Sequence, residues 1–151
     1  NNTIDIYSTL AQTKGTISIE NKTVPFVNNV MIKNDSSELV QLWALFDDRA
    51  MVNAMCTTVF EAVKHRLRGW THTSQTLRMA NGSIIPAIAQ WTGTIRIGAV
   101  DTQTMFIVFN SGGGWAFLAG KPMLQALRAV HDYSMDQLTI TDGKNVTVLD
   151  N

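Results

Sequence analysis

The chain is short of cysteine, has no excess of either charge and contains no long apolar run, and each shortage closes off a class of protein. Cys56 is the single cysteine. It cannot form an internal disulfide, which fits a reducing compartment and a cytoplasmic location. Lysine plus arginine equals aspartate plus glutamate, 12 each, so charge gives no reason to expect nucleic acid or an anionic membrane as partner. Lys64, Arg66 and Arg68 do cluster, and they read as the solvated end of a helix. No stretch approaches the roughly 18 apolar residues of a membrane-spanning helix. The N-terminus lacks the basic-then-apolar order of a signal peptide, and the missing initiator Met suggests a longer parent protein. His65, His72 and His131 are scattered, with no helical pair and no CxxC partner, so neither a metal site nor another cofactor is expected. Asn-x-Ser/Thr triplets start at Asn1, Asn21, Asn34, Asn81 and Asn145, a number that a chain rich in Asn, Ser and Thr produces by chance.

What is present describes one compact domain. The length is 151 residues, with 45% apolar and 16% charged, enough to bury a core and too short for two. Strand signals dominate. Residues 16–19 alternate, Glu20-Asn21-Lys22 reads as a turn, and a second strand covers residues 24–32 with Pro25 near its start. Residues 33–37 read as a loop. Residues 39–46 are apolar at nearly every position, as in a strand covered on both faces. Residues 57–67 read as a short helix capped by Thr57 or Thr58, with Phe60, Val63 and Leu67 on one face and Gly69 as its stop. Apolar runs at 77–79 and 84–86 flank Ala80-Asn81-Gly82-Ser83, the strongest hairpin signal in the chain. Strands follow at 93–97 and 104–109. Ser111-Gly112-Gly113-Gly114 is a break that feeds an apolar run and not a helix start, which excludes a phosphate-cradling loop. Residues 122–130 have the spacing of a core-facing helix with Pro122 in its first turn. Residues 138–140 and 146–149, either side of Asp142-Gly143, close the chain as a hairpin. The fold class is therefore mainly β with two short helices.

One position stands out chemically. The apolar strand at 39–46 runs directly into Asp47-Asp48-Arg49, and a buried charge costs several kcal/mol unless compensated. Acids seldom end a core strand for packing reasons alone, so the turn reads as a site, although many Asp-Asp pairs merely close surface turns. Cys56 has two readings, a nucleophile with a distant His or a buried filler, and its place between a turn and a helix favours the filler. The seven Met and four Trp read as core.

Asp47 gains meaning from its surroundings. Ala44-Leu45-Phe46-Asp47-Asp48-Arg49-Ala50-Met51-Val52-Asn53 resembles the active-site segment of retropepsin-like aspartic proteases, usually two apolar residues followed by Asp-Thr/Ser-Gly-Ala. Leu77-Arg78-Met79-Ala80-Asn81-Gly82-Ser83 resembles the flap hairpin of that family. Phe117-Leu118-Ala119-Gly120-Lys121 resembles its apolar-apolar-Gly-Arg element. Leu127-Arg128-Ala129-Val130-His131-Asp132-Tyr133 with Leu138-Thr139-Ile140 is similar to the helix and strand that follow in Ty3/gypsy-type LTR retroelement proteases, and the wording is similar to retroelement-derived frames of mushroom-type fungi. The resemblance covers roughly residues 23–141.

It implies a retropepsin-like acid protease fold, a closed barrel-like half-site, over residues 16–151, preceded by an N-terminal arm or strand over 1–15. It implies Asp47 as the catalytic acid, Asp48, Arg49 and Ala50 as the active-site loop, Met79, Ala80, Asn81, Gly82 and Ser83 as a flap, and Leu118, Ala119 and Gly120 at the substrate pocket. A chain with one such turn supplies one acid, and catalysis needs two carboxylates sharing a proton around a water. The second would come from another copy across a two-fold axis. The implied partners are thus a second copy and an extended peptide, by resemblance a polyprotein.

Two departures matter. Asp48 replaces the Thr or Ser whose hydroxyl bonds across the dimer axis in the family pattern, and two copies bring like charges together. Arg49 replaces a Gly that allows close backbone approach and unusual conformations. Pairing of Arg49 with Asp47 would hold that acid ionised and oppose proton sharing, whereas pairing with Asp48 would cancel the repulsion. Three readings therefore stay open: a homodimeric endopeptidase, a catalytically impaired peptide-binding or dimerisation module, and a monomer that never forms the intersubunit sheet.

Overall fold

A computed structural model describes residues 3–5, 24–34, 36 and 38–151. The expected strand at 16–19, the turn after it and most of the 1–15 arm lie outside these residues.

The wall of the molecule is a seven-stranded sheet. Its members are β2 (Phe26–Lys33), β3 (Leu39–Phe46), β4 (Ala54–Cys56), β5 (Thr71–His72), β8 (Ala89–Ile97), β9 (Val100–Phe109) and β10 (Phe117–Ala119), in the order β2-β3-β10-β4-β9-β8-β5. Pairing of Met31, Ile32 and Lys33 with Arg96, Ile95 and Thr94 joins β2 back to β8 and closes the sheet into a barrel. Closure leaves one face of each strand inside and one outside. For that reason β3 is not covered on both faces as its composition suggests. Val40, Leu42, Ala44 and Phe46 point into the core, while Trp43 is 59% exposed.

The interior gathers Val30, Ile32, Ile95, Phe106, Val108, Phe117 and Met123 into the main core. A smaller cluster holds Ala50, Ala54, Leu77, Ala87, Ile107, Phe109 and Leu118. Two three-stranded sheets flank the barrel. One combines β1 (Thr3–Asp5) with the hairpin β6 (Thr76–Arg78) and β7 (Ile84–Pro86). The other is the meander β11 (Val130–Asp132), β12 (Gln137–Thr141) and β13 (Val146–Asp150).

Both helices are shorter than the sequence pattern suggests. Helix α1 spans Thr57–Val63 and passes into a 3-10 turn at Lys64–Arg66. Its cap is Cys56, with no side-chain hydrogen bond, so neither Thr57 nor Thr58 caps it. Phe60 and Leu67 are buried as their spacing implies. Helix α2 spans Lys121–Ala126 and does not reach Val130. Arg128 takes a positive φ of 50°, which reverses the chain and sends Val130 into β11 at 67% exposure. The Asn81-Gly82 and Asp142-Gly143 hairpins form where expected, with Gly82 and Gly143 at φ 86° and 93°. No helix among the described residues is long and apolar enough to cross a membrane.

Candidate active site

The site is built on an inserted strand. β10 lies between β3 and β4, parallel to the first and antiparallel to the second. The chain must therefore leave β3, pass around the end of β10 and re-enter beside it as β4. Residues 47–53 are that passage, and the contacts of β10 hold them. The Asp47 N–H donates to the Ala119 carbonyl at 3.0 Å, and the Lys121 N–H to the Ala50 carbonyl at 2.8 Å.

Within the passage Asp47 opens a tight turn. The Ala50 N–H donates to the Asp47 carbonyl at 3.2 Å, and the Arg49 N–H donates to Asp47 Oδ1 at 2.9 Å. Aspartate favours this first position of a turn because its side chain can accept a backbone N–H two residues on. Arg49 is not among the residues with positive φ. An arginine thus occupies the position without the backbone strain that the loss of glycine would otherwise bring.

The glycine this site does need is Gly120. A Cβ there would run into the carbonyl oxygens of Val52 and Ala50. The approach is held by Asn53, a buried residue whose side chain is fully engaged. Its Oδ1 accepts the N–H groups of Gly120 at 3.0 Å and Met123 at 3.3 Å. Its Nδ2 donates to Thr104 Oγ1 at 2.8 Å and to the Met105 carbonyl at 3.1 Å. Asn53 joins the acid-bearing passage to α2 and β9 and carries no role in the sequence reading. Its one available signal is a polar residue inside an otherwise apolar stretch, Ala50-Met51-Val52 and Ala54-Met55.

The remaining residues separate by burial. Asp47 is half-buried, Asp48 and Arg49 are exposed, and Ala50 is fully buried. Asp47, Asp48 and Arg49 line an open cleft of about 370 Å³ together with Phe26, His131 and Tyr133. Arg49 forms no ion pair with Asp47 or Asp48 within the chain, so neither pairing considered from the sequence forms in a single chain. Leu118, Ala119 and Gly120 are fully buried. Leu118 belongs to the small cluster and Ala119 to the main one, and their backbone sets the floor of the turn. The Asn81-Gly82 hairpin is seated by Leu77, which shares the small cluster with Ala50 and Leu118, while Met79 packs against that cluster. Ala80, Asn81, Gly82 and Ser83 are exposed.

His131 lines the same cleft as Asp47, a placement the sequence does not announce. Its ring stacks on Tyr133 at 4.1 Å and meets the edge of Phe26 at 5.4 Å. His131 Nε2 lies 2.8 Å from Asp136 Oδ1, and Asn151 Nδ2 donates to Asp136 Oδ2 at 2.7 Å. These bonds, with that from Asn151 the larger influence, hold the Asp136 carboxyl below its ordinary range. Cys56 is buried at the end of β4, its Sγ 3.2 Å from Thr58 Oγ1. Among the described residues no group of three His, Cys, Asp or Glu comes together to hold a metal ion.

A closed barrel with a strand inserted between β3 and β4 is a retropepsin-like fold, and one solved structure bears this out. The chain is similar to the retroviral protease-like domain of Ddi1 from Leishmania major, with 15% identity over 85% of this chain and 96% of that one and a TM-score of 0.53. It also matches EIAV protease complexed with the inhibitor HBY-793, with 18% identity over 76% of this chain and 99% of that one and a TM-score of 0.49. No protein-family model and no curated protein sequence matches the chain.

Proposed function

We propose that the chain is one half of a homodimeric aspartic endopeptidase acting on extended peptides. The observation that carries this reading is the half-buried carboxylate of Asp47, fixed by its own turn at the mouth of an open cleft and on the passage around β10. One chain offers one such acid. In the dimer, one Asp47 is charged and activates a water, and the other is protonated and donates to the scissile carbonyl. The Asn81-Gly82 hairpin serves as the flap that excludes water, and Leu118, Ala119 and Gly120 shape the pocket from beneath. The natural substrate is a polyprotein of a Ty3/gypsy-type LTR retroelement, of fungal origin on the sequence resemblance. The single cysteine is consistent with work in the cytoplasm.

A second reading, a catalytically impaired module that binds peptide or only dimerises, draws on Arg49, whose exposed side chain lines the same cleft as Asp47. Digestion of a peptide library from acidic to neutral pH, by wild type and Asp47→Asn side by side, separates the two. The endopeptidase reading expects cleavage that falls about 10²–10⁴-fold in Asp47→Asn. Equal turnover by both chains would end it. A stable dimer with no cleavage, regained in Arg49→Gly, would establish the impaired module.

A further inference from the structure

Asp48 and Arg49 are opposite charges at consecutive exposed positions of the turn that carries Asp47. Neither forms an ion pair with any described residue. Each is adequately solvated while this surface faces water. Once the surface is covered, both must be matched, because an unpaired charge removed from water is strongly unfavourable.

The symmetry of a two-fold contact decides how. When two identical turns meet head to head, a two-fold axis offers two kinds of meeting. In one, Asp48 meets the partner's Asp48 and Arg49 meets the partner's Arg49, and both contacts repel. In the other, Asp48 meets the partner's Arg49 and Arg49 meets the partner's Asp48, and both attract. The turn is also held rigid by the bonds from Arg49 N–H to Asp47 Oδ1 and from Ala50 N–H to the Asp47 carbonyl. Pairing therefore orders side chains only.

We propose that a second copy of the chain completes the site through crossed ion pairs, Asp48 of each protomer with the partner's Arg49. This rests on the dimeric reading above. The pair supplies with charge what a hydroxyl supplies in the family pattern, and it turns the two departures from that pattern into one compensated change. It also confers specificity, since a chain with Thr-Gly at these positions offers neither charge a mate.

The test uses the whole chain and requires no catalysis. Sedimentation is run on wild type, Asp48→Arg, Arg49→Asp and an equimolar mixture of the two variants. In Asp48→Arg the crossed contact sets Arg against Arg, and in Arg49→Asp it sets Asp against Asp. In the mixture, both contacts of the heterodimer are again opposite in sign. The expected result is a dimer weakened about tenfold or more in each variant and restored in the mixture. The wild-type dimer should also loosen as salt rises from about 0.1 M to about 1 M, where the screening length falls from about 10 Å to about 3 Å. Variants that dimerise like wild type, or folded variants whose mixture stays monomeric, overturn the crossed pair and leave the dimer standing. A monomeric wild type at the highest attainable concentration overturns both. Thermal melts check folding, and if a charge reversal unfolds the chain, Asp48→Asn and Arg49→Gln read by the same assay decide the matter.

Discussion

The Asp47 turn and the Asn81-Gly82 hairpin share one small apolar cluster, yet they are held in different ways. The turn is bound from below by β10, by Asn53 and by the start of α2, with the side-chain amide of Asn53 fully engaged in the core. The hairpin is anchored at its base by Leu77, which is fully buried, and its tip of Ala80 to Ser83 is exposed. The acid is thus fixed by the deepest part of the fold, and the hairpin by a single buried side chain and its neighbours. The proposed endopeptidase, which would place an oxygen accurately and still admit a peptide, would use this inequality.

The contrast can be broken most severely at Asn53. Asn53→Ala leaves the N–H of Gly120 and the side chain of Thr104 without their partner in the interior, at about 1–3 kcal/mol for each stranded group, while the Met123 N–H keeps its bond to the Gly120 carbonyl. A loss of about 3 kcal/mol is expected in urea unfolding, and a loss below about 1 kcal/mol would show that the turn does not depend on this residue. A smaller effect is expected at the hairpin. Gly82 has a φ of 86°, so Gly82→Ala should cost about 1 kcal/mol. Amide exchange should accelerate in residues 76–86 and remain slow in β3, and equal acceleration in both would erase the distinction between the two regions.

The smallest effect lies away from both. Asp142 accepts N–H bonds from Asn145 at 2.8 Å, Lys144 at 2.9 Å and Asp101 at 3.3 Å, which pull its carboxyl from the ordinary 3.8 down to about 2. Folding favours the charged form, so this contribution is complete above about pH 4 and disappears as pH falls toward about 2. Asp142→Asn should flatten part of the acid decline in melting temperature. An unchanged slope would show that the other depressed acids, Asp101, Asp132 and Asp136, account for it.

The sequence was legible where a local pattern decides the structure. The run ending at Phe46 gave β3 with its bounds intact, and Asn81-Gly82 gave the hairpin because only a few turns suit that pair. Elements that depend on distant partners were not legible. β4 is three residues long and exists because β10 and β9 pair with it on either side. The end of α2 depends on a positive φ at Arg128, and arginine advertises no such preference. The strands expected at 93–97 and 104–109 form a longer hairpin around Gly98-Ala99, whose polar residues at Gln90, Thr92, Thr102 and Gln103 hid its length. At the site, Asp47 was visible because an acid after a core strand is conspicuous. Asn53 owes its importance to partners far along the chain, and His131 comes to the cleft only because β11 is brought beside Phe26.

The insertion of β10 between β3 and β4 also sets an order of events. Residues 44–46 and 54–55 have β2 and β9 on their outer sides but gain the strand between them only when 117–119 arrive, so a nascent chain stalled before that point has the acid in its sequence without the Ala119 carbonyl that its N–H binds. Long-range closure of this kind is slow relative to local hairpins. Whatever the acid does, its turn is completed only when β10, the last strand of the barrel in chain order, arrives, and that strand acts as the timer.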